Sequence, residues 1–261
     1  MQVDAQRRFG GIARLYGDEA IGRLAAAHAC VIGIGGVGSW SAEALARSGV
    51  GRITLIDLDH VAESNINRQI HALDDTLGQA KVVAMAARIH AINPGARVDM
   101  IDDFITPENA AEHLCGFDVV VDAIDNVRAK VAIAVTCRQR EMPLVMAGSA
   151  GGKRDPARLR VADLSRTEQD PLLAKVRRSL RSDHGFPRDP RRRFGIEAIY
   201  SDEPLAYPEA ACGVDGAPQG LACAGYGSSM VMTASVGLFA AARAIERLLA
   251  DPVGQIFDPG V

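Results

Sequence analysis

Val31-Ile32-Gly33-Ile34-Gly35-Gly36-Val37-Gly38-Ser39 runs an apolar strand into a glycine turn and straight on into a helical pattern. That order of elements builds a seat for phosphate. Glycines at 33, 35, 36 and 38 let the backbone turn sharply and approach a ligand closely, and they aim amide groups and the positive end of the next helix at an anion. About twenty residues on, the run Arg52-Ile53-Thr54-Leu55-Ile56-Asp57 ends in an acid where the dinucleotide-binding pattern keeps its ribose ligand. Nucleotide binding is the first expectation.

Such turns also serve packing alone, so residues further along the chain must decide the chemistry. Downstream lie Ser64-Asn65-Ile66-Asn67-Arg68-Gln69, then Gly78-Gln79-Ala80-Lys81, then Val119-Val120-Val121-Asp122-Ala123-Ile124-Asp125-Asn126. A reduced nicotinamide needs none of these cations. Arg68 and Lys81 supply one forked and one point-like positive charge, suited to a triphosphate, and Asp125 at a strand's carboxyl end can hold magnesium. Phosphoryl chemistry is expected, with hydride transfer a distant alternative.

Outward from the glycine turn, strands and helices alternate. Cys30 to Ile34, Ile53 to Asp57, Arg97 to Ile101, Val119 to Val121 and Pro143 to Ala147 read as strands. Ser39 to Arg47, Gln79 to Ile92 and Arg128 to Arg140 read as helices, and a short helix opens at Thr106-Pro107 with Thr106 as cap. The fold class is therefore α/β: a Rossmann-like, mostly parallel sheet with helices on both faces. Ligands sit beyond the carboxyl ends of its strands. After Gly148-Ser149-Ala150-Gly151-Gly152 the texture changes, with a strand-like Arg158 to Asp163, a basic stretch and a Gly, Pro and Cys-rich run from Pro204 to Gly227. This reads as an appended smaller carboxyl-terminal lobe.

The 261 residues, 48% of them hydrophobic, suffice for a full core. A formal charge of -3 hides an asymmetry, because Lys153 to Arg193 carries 13 basic against 6 acidic residues. That segment is either a polyanion contact or a solvated loop. Five cysteines at 30, 115, 137, 212 and 223 form no close pairs, and no signal sequence precedes Arg7-Arg8-Phe9, so a reduced, cytoplasmic protein without a paired-cysteine zinc site is expected. Ser228 to Leu249 is apolar, but Arg243, Glu246 and Arg247 cut it short of a membrane span. It reads as a buried or interface helix from Met230 to Leu249, with Ala234, Gly237, Ala241 and Ala244 permitting close approach of a second copy in a homodimer.

Taken together, Gly33 to Gly38, Asp57-Leu58-Asp59, Ser64 to Gln69, Gly78 to Lys81 and Asp122 to Asn126 resemble the ubiquitin-activating-enzyme-like adenylating family that includes ThiF and MoeB. The likeness spans about residues 7 to 250. It is strongest to the branch that acts on tRNA, through Arg8-Phe9-Gly10-Gly11-Ile12-Ala13-Arg14-Leu15-Tyr16-Gly17, Asn67-Arg68-Gln69-Ile70-His71-Ala72-Leu73 and Gly225-Tyr226-Gly227-Ser228-Ser229.

The resemblance implies that Gly33, Gly35, Gly36 and Gly38 lie under ATP and that Asp57 binds its ribose hydroxyls. Asn65, Arg68 and Lys81 hold the phosphates, Asp125 positions Mg2+, and Asn126 stands beside it at the nucleotide. An amino-terminal arginine of the neighbouring subunit, here Arg14 rather than Arg8, completes the triphosphate site. The implied activity is AMP-forming, ligase-like cyclisation of threonylcarbamoyladenosine in tRNA by adenylation of its threonyl carboxylate. ThiF and MoeB bear two paired-cysteine zinc motifs that this chain lacks, which places a sulfur-carrier substrate second. A sulfur-transfer protein remains a further partner compatible with the likeness. On this reading residues 1–150 form the ATP-binding adenylation domain, with an amino-terminal helical segment. Residues 151–250 form a tRNA-contact and dimerisation lobe, and 251–261 a loose tail. Cys223 as a thioester nucleophile, and Cys212 still more so, carry less weight than a structural role, since no basic neighbour lowers the thiol pKa. Asp122 is expected to order the loop that presents Asp125, and His71 to be packed or solvated.

Overall fold

The computed structural model describes residues 4–189, 191–206 and 226–250. Its strands are β1 (His28–Ile32), β2 (Arg52–Ile56), β3 (Arg97–Ile101), β4 (Val119–Asp122), β5 (Leu144–Ala147), β6 (Leu159–Asp163) and β7 (Glu197–Ser201). Its α-helices are α1 (Ala5–Tyr16), α2 (Ala20–Ala26), α3 (Gly38–Arg47), α4 (Lys81–Ile92), α5 (Ala110–His113), α6 (Val127–Gln139), α7 (Pro171–Asp183) and α8 (Met230–Leu249). The strands form one sheet in the order β3-β2-β1-β4-β5-β7-β6. All neighbours run parallel except β6 against β7.

Val119-Val120-Val121 and Ala29-Cys30-Val31-Ile32 are buried on both sides, which is why these strands read as continuous apolar runs. Their side chains alternate between two cores. Ala29 and Val31 join Leu45, Met85 and Val236 under α3, α4 and α8, whereas Cys30 and Ile32 join Ile133 and Leu173 under α6 and α7.

Differences from the expected elements have local causes. The first strand ends at Ile32, two residues early, because Gly33 turns the chain out with φ +84° even as its amide still bonds the Ile56 carbonyl at 2.9 Å. The short helix starts at Ala110 rather than at Thr106, since Asn109 Oδ1 takes the Thr106 amide at 2.7 Å and closes a turn there. The basic segment is no solvated loop. It holds β6 and α7, and α7 is capped by Asp170, whose Oδ1 accepts the Leu173 amide at 2.9 Å. β7, with no counterpart among the expected strands, pairs with β5 on one side and β6 on the other, so the second half of the chain grows from the sheet of the first.

Helix α8 spans the expected residues, but its small face meets its own chain. A Cβ on Gly237 would stand 2.4 Å from the Val37 carbonyl oxygen and 2.9 Å from Trp40 Cβ, and Ala234, Ala241 and Ala244 are buried with it. Close approach is therefore to α3, which corrects the assignment of these four residues to a subunit contact. The opposite face of α8 exposes Val231, Leu238 and Phe239. No helix among the described residues is long and apolar enough to cross a membrane. Cys212, Cys223, Gly225 and the tail from 251 lie outside the described residues.

Candidate nucleotide site

β1 and β4 are neighbours at the centre of the sheet, and the chain leaves them toward opposite faces, which opens a crevice at their carboxyl ends. The glycine turn follows β1. Its members are not equivalent: a Cβ on Gly33 would lie 2.7 Å from Ile124 Cγ2 and one on Gly38 would lie 1.9 Å from the Gly33 carbonyl oxygen. Gly36 is tight against Thr233 and against Arg68 Cδ at 3.3 Å, whereas Gly35 meets only Gln69 Nε2 at 3.9 Å. The turn is thus locked to the loop after β4 and lies beside Arg68. Helix α3 starts there with no side-chain cap, its Ser39 amide bonded to the Gly35 carbonyl at 3.1 Å within the turn, and it brings the positive end of its dipole to the glycine turn.

Asp57, just past β2, is buried, and its carboxylate ties the chain after β1 to its own loop after β2. Oδ2 accepts the Ile34 amide at 2.6 Å and Oδ1 the Asp59 amide at 2.8 Å. Burial pushes this carboxyl up, against the pull of Lys81 and of the two amides. Lys81 is also buried and donates from Nζ to Asp59 Oδ2 at 2.6 Å. The sequence motif contains Asp59 but marks no role for it, and its place three residues past β2 is the only signal there. Asn65 is buried in a short 3-10 turn, its Oδ1 accepting the Ala62 amide at 3.0 Å, which leaves its donor end to present to an anion. The Arg68 guanidinium is half-buried and donates from Nη1 to the Ser64 carbonyl at 2.7 Å and to Asn67 Oδ1 at 2.9 Å. Trp40 Nε1 donates to the Arg68 carbonyl at 3.0 Å and fixes that backbone.

At the end of β4, Asp122 is fully buried and its Oδ1 accepts the Ile124 amide at 3.2 Å, so it orders the loop that follows as expected. Asp125 is exposed at the loop's tip, and Asn126 caps α6 by accepting the Ala129 amide at 3.1 Å. Arg14 is not brought to this end of its own chain. Phe9 of α1 packs on Gly49 and Arg8 donates to the Ile92 carbonyl, which places α1 at the amino ends of the strands, and Arg14 lies back along α1 near Gly10.

His71 is buried, and neither ring nitrogen has a hydrogen-bond partner among the described residues. Burial, with Lys81 and Arg88 nearby, pulls its pKa down from 6.5 to about 4. The unfolded chain therefore binds a proton that the folded one refuses between those values, and this stabilisation is complete above pH 6.5 and lost as pH falls toward 4. The size is about 3 kcal/mol. In His71→Leu, denaturation midpoints measured from pH 7 to 4 should lose this acid limb; an unchanged limb would remove His71 as its cause.

Of the 13 basic residues between Lys153 and Arg193, Arg177, Arg178, Arg181 and Arg188 line one groove of about 520 Å³ along α7. Arg193 turns away to a cavity of about 340 Å³ at the amino ends of β5 and β7.

The residues fit a nucleotide triphosphate: a cradle that side chains would fill, a helix start without a side-chain cap, two cations and a buried acid. No group of three or more His, Cys, Asp or Glu among the described residues could cage a metal. A lone exposed carboxylate suits magnesium, which takes one or two carboxylates together with substrate phosphates.

The ThiF family model matches residues 9–256. A tRNA threonylcarbamoyladenosine dehydratase of Haemophilus influenzae is 47% identical over 94% of each chain. Among solved structures, Escherichia coli tRNA N6-threonylcarbamoyladenosine dehydratase in complex with ATP superposes with TM-score 0.86 at 46% identity, covering 95% of this chain and 97% of that one. The same enzyme in complex with AMP gives TM-score 0.86 at 47% identity with the same coverage. With its glycine turn, its mostly parallel sheet and this match along nearly its whole length, the chain belongs to the ThiF family.

Proposed function

We infer that the chain is an ATP-dependent dehydratase that cyclises threonylcarbamoyladenosine in tRNA. The observation that carries this reading is the likeness to the dehydratase over 94% of both chains. The absence of paired cysteines in the sequence weighs against a sulfur-carrier protein as substrate.

A carboxylate is a poor electrophile because its leaving group would be oxide. In the proposed reaction a threonyl carboxylate oxygen attacks the α-phosphorus of ATP and pyrophosphate leaves. An atom of the same threonylcarbamoyl group then attacks the carboxyl carbon, AMP departs, and the ring closes with net loss of water. Intramolecular attack in a well-oriented pair has a proximity advantage of up to roughly 7 to 11 kcal/mol. The protein's task is mainly positioning and charge neutralisation.

Asp57, held by the Ile34 and Asp59 amides, accepts from the ribose hydroxyls. Asn65 and Arg68 donate to the phosphates, and Lys81 exchanges Asp59 for a phosphate oxygen. Asp125 would hold magnesium, which would supply further charge neutralisation at the triphosphate. Arg14 reaches the triphosphate of a neighbouring subunit, because α1 lies at the far end of its own sheet. The second copy docks on the outer face of α8 through Val231, Leu238 and Phe239, so the assembly is a homodimer. The α7 arginines neutralise tRNA phosphates, which makes tRNA affinity fall as salt rises. Residues 1–150 thus serve ATP and residues 151–250 serve tRNA and dimer contacts, in the cytoplasm where tRNA is modified. A sulfur-transfer protein has no assigned surface.

The test supplies ATP and magnesium with either tRNA bearing threonylcarbamoyladenosine or a carrier protein ending in glycine, and follows AMP and nucleoside mass. AMP in the tRNA arm, with a nucleoside lighter by one water, is expected. AMP formed only with the carrier would overturn the reading.

A further inference from the structure

Lys130 has no solvent contact, and nothing in the proposed reaction uses it. It stands in the first turn of α6, among Ala129, Val131, Ile133 and Ala134, all buried. Its Nζ donates to Asp122 Oδ1 at 3.0 Å and to the Ala147 carbonyl at 2.7 Å. One ammonium therefore ties together the carboxyl ends of β4 and β5. The second Asp122 oxygen, Oδ2, is buried and has no hydrogen-bond partner among the described residues.

As a device for stability this arrangement is poor. Desolvating two charges largely offsets their attraction, an unmatched acceptor adds a further penalty, and apolar side chains of similar volume would hold the same space at least as well. Its effect on geometry is larger. Asp122 Oδ1 receives the ammonium and the Ile124 amide together, and Ile124 immediately precedes Asp125. On its other side the same turn is pressed against the phosphate loop, since the space a Gly33 Cβ would need is filled by Ile124 Cγ2 and the Ala123 backbone. The Lys130 amide in turn bonds the Asn126 carbonyl at 3.0 Å, so the turn is anchored at both ends. The end of β5 is fixed as well, because Asp170 Oδ2 accepts the Ser149 amide at 2.8 Å just beyond Ala147.

We propose that Lys130 is a positioning residue which, through Asp122, sets the Ile124-Asp125-Asn126 turn so that the Asp125 carboxylate stands against the metal-bearing triphosphate. The proposal rests on the metal-holding role of Asp125 in the proposed function. Lys130 touches neither nucleotide nor metal, and its effect passes through the turn.

The test compares ATP affinity by calorimetry with magnesium and with chelator, alongside melting temperature, in three variants. Asp122→Asn/Lys130→Met removes both buried charges together, so the fold is not left with one alone. This pair should melt near the parent and bind ATP without magnesium as the parent does, but lose about tenfold or more of the affinity that magnesium adds. Asp125→Ala should lose the same gain. A full magnesium gain in the double variant beside a lost gain in Asp125→Ala overturns the role of Lys130 and leaves that of Asp125 standing. A full gain in both overturns the reading of Asp125 itself, and the proposal with it. If the double variant does not fold, Lys130→Arg decides: its planar, longer fork cannot superpose on the ammonium, so a reduced magnesium gain is expected and an unchanged one overturns the proposal.

Discussion

Asp125→Ala should leave the melting temperature unchanged and lower AMP formation at least about 100-fold. The first half of this expectation comes from exposure. The side chain stands at a loop tip, while the loop itself is held by Asp122, by the Asn126 cap and by packing of Ile124 on Gly33. The second half comes from charge. A triphosphate concentrates negative charge where another anion, the threonyl carboxylate, must approach, and Asp125 is the exposed acid of this turn that can keep a metal there. Steady-state AMP release and a thermal melt of the same preparation measure both halves. Full activity in a folded variant would remove Asp125 from the site.

Gly38→Ala should cost about 3 kcal/mol or more of stability and abolish nucleotide binding in whatever remains folded. The new Cβ would fall 1.9 Å from the Gly33 carbonyl oxygen, a backbone atom that no rotamer change can move. Helix α3 would have to back away from the turn, and the positive end of its dipole with it. Gly35→Ala is the control, since its Cβ would meet nothing closer than 3.9 Å and the fold should tolerate it. Denaturant midpoints of the two variants make the comparison. Equal midpoints would mean that the turn relaxes and that its tightness is not what shapes the phosphate seat.

The glycine turn after β1, Asp57 after β2 and Asp125 after β4 stand out in sequence because each lies among a few adjacent residues at a strand end, and Arg68 and Lys81 because short local motifs contain them. The parallel sheet is legible for the same reason, from alternating strand and helix periods. What escapes depends on pairing across the chain. Helix α7 buries Leu172, Leu173, Val176 and Leu180 on a narrow stripe, and the arginines between them make the segment read as a charge run. β7 opens with Glu197, an unpromising strand residue until Arg243 of α8 supplies a 2.6 Å ion pair across the sheet. The small residues of α8 predict close approach correctly, but the pattern cannot say to which chain, and the neighbour is α3. Lys130 escapes because its partner lies 8 residues away and no local motif marks it, and Asp59, though inside a motif, because the partner that gives it a role lies 22 residues away.

Oxygen-18 placed in the threonyl carboxylate of the tRNA substrate tests most directly whether ATP is spent on activating that acid. Adenylation moves one carboxylate oxygen onto phosphorus, so the AMP released should carry a single labelled oxygen while pyrophosphate carries none. Unlabelled AMP, or label recovered in inorganic phosphate beside ADP, would contradict carboxylate adenylation by this site.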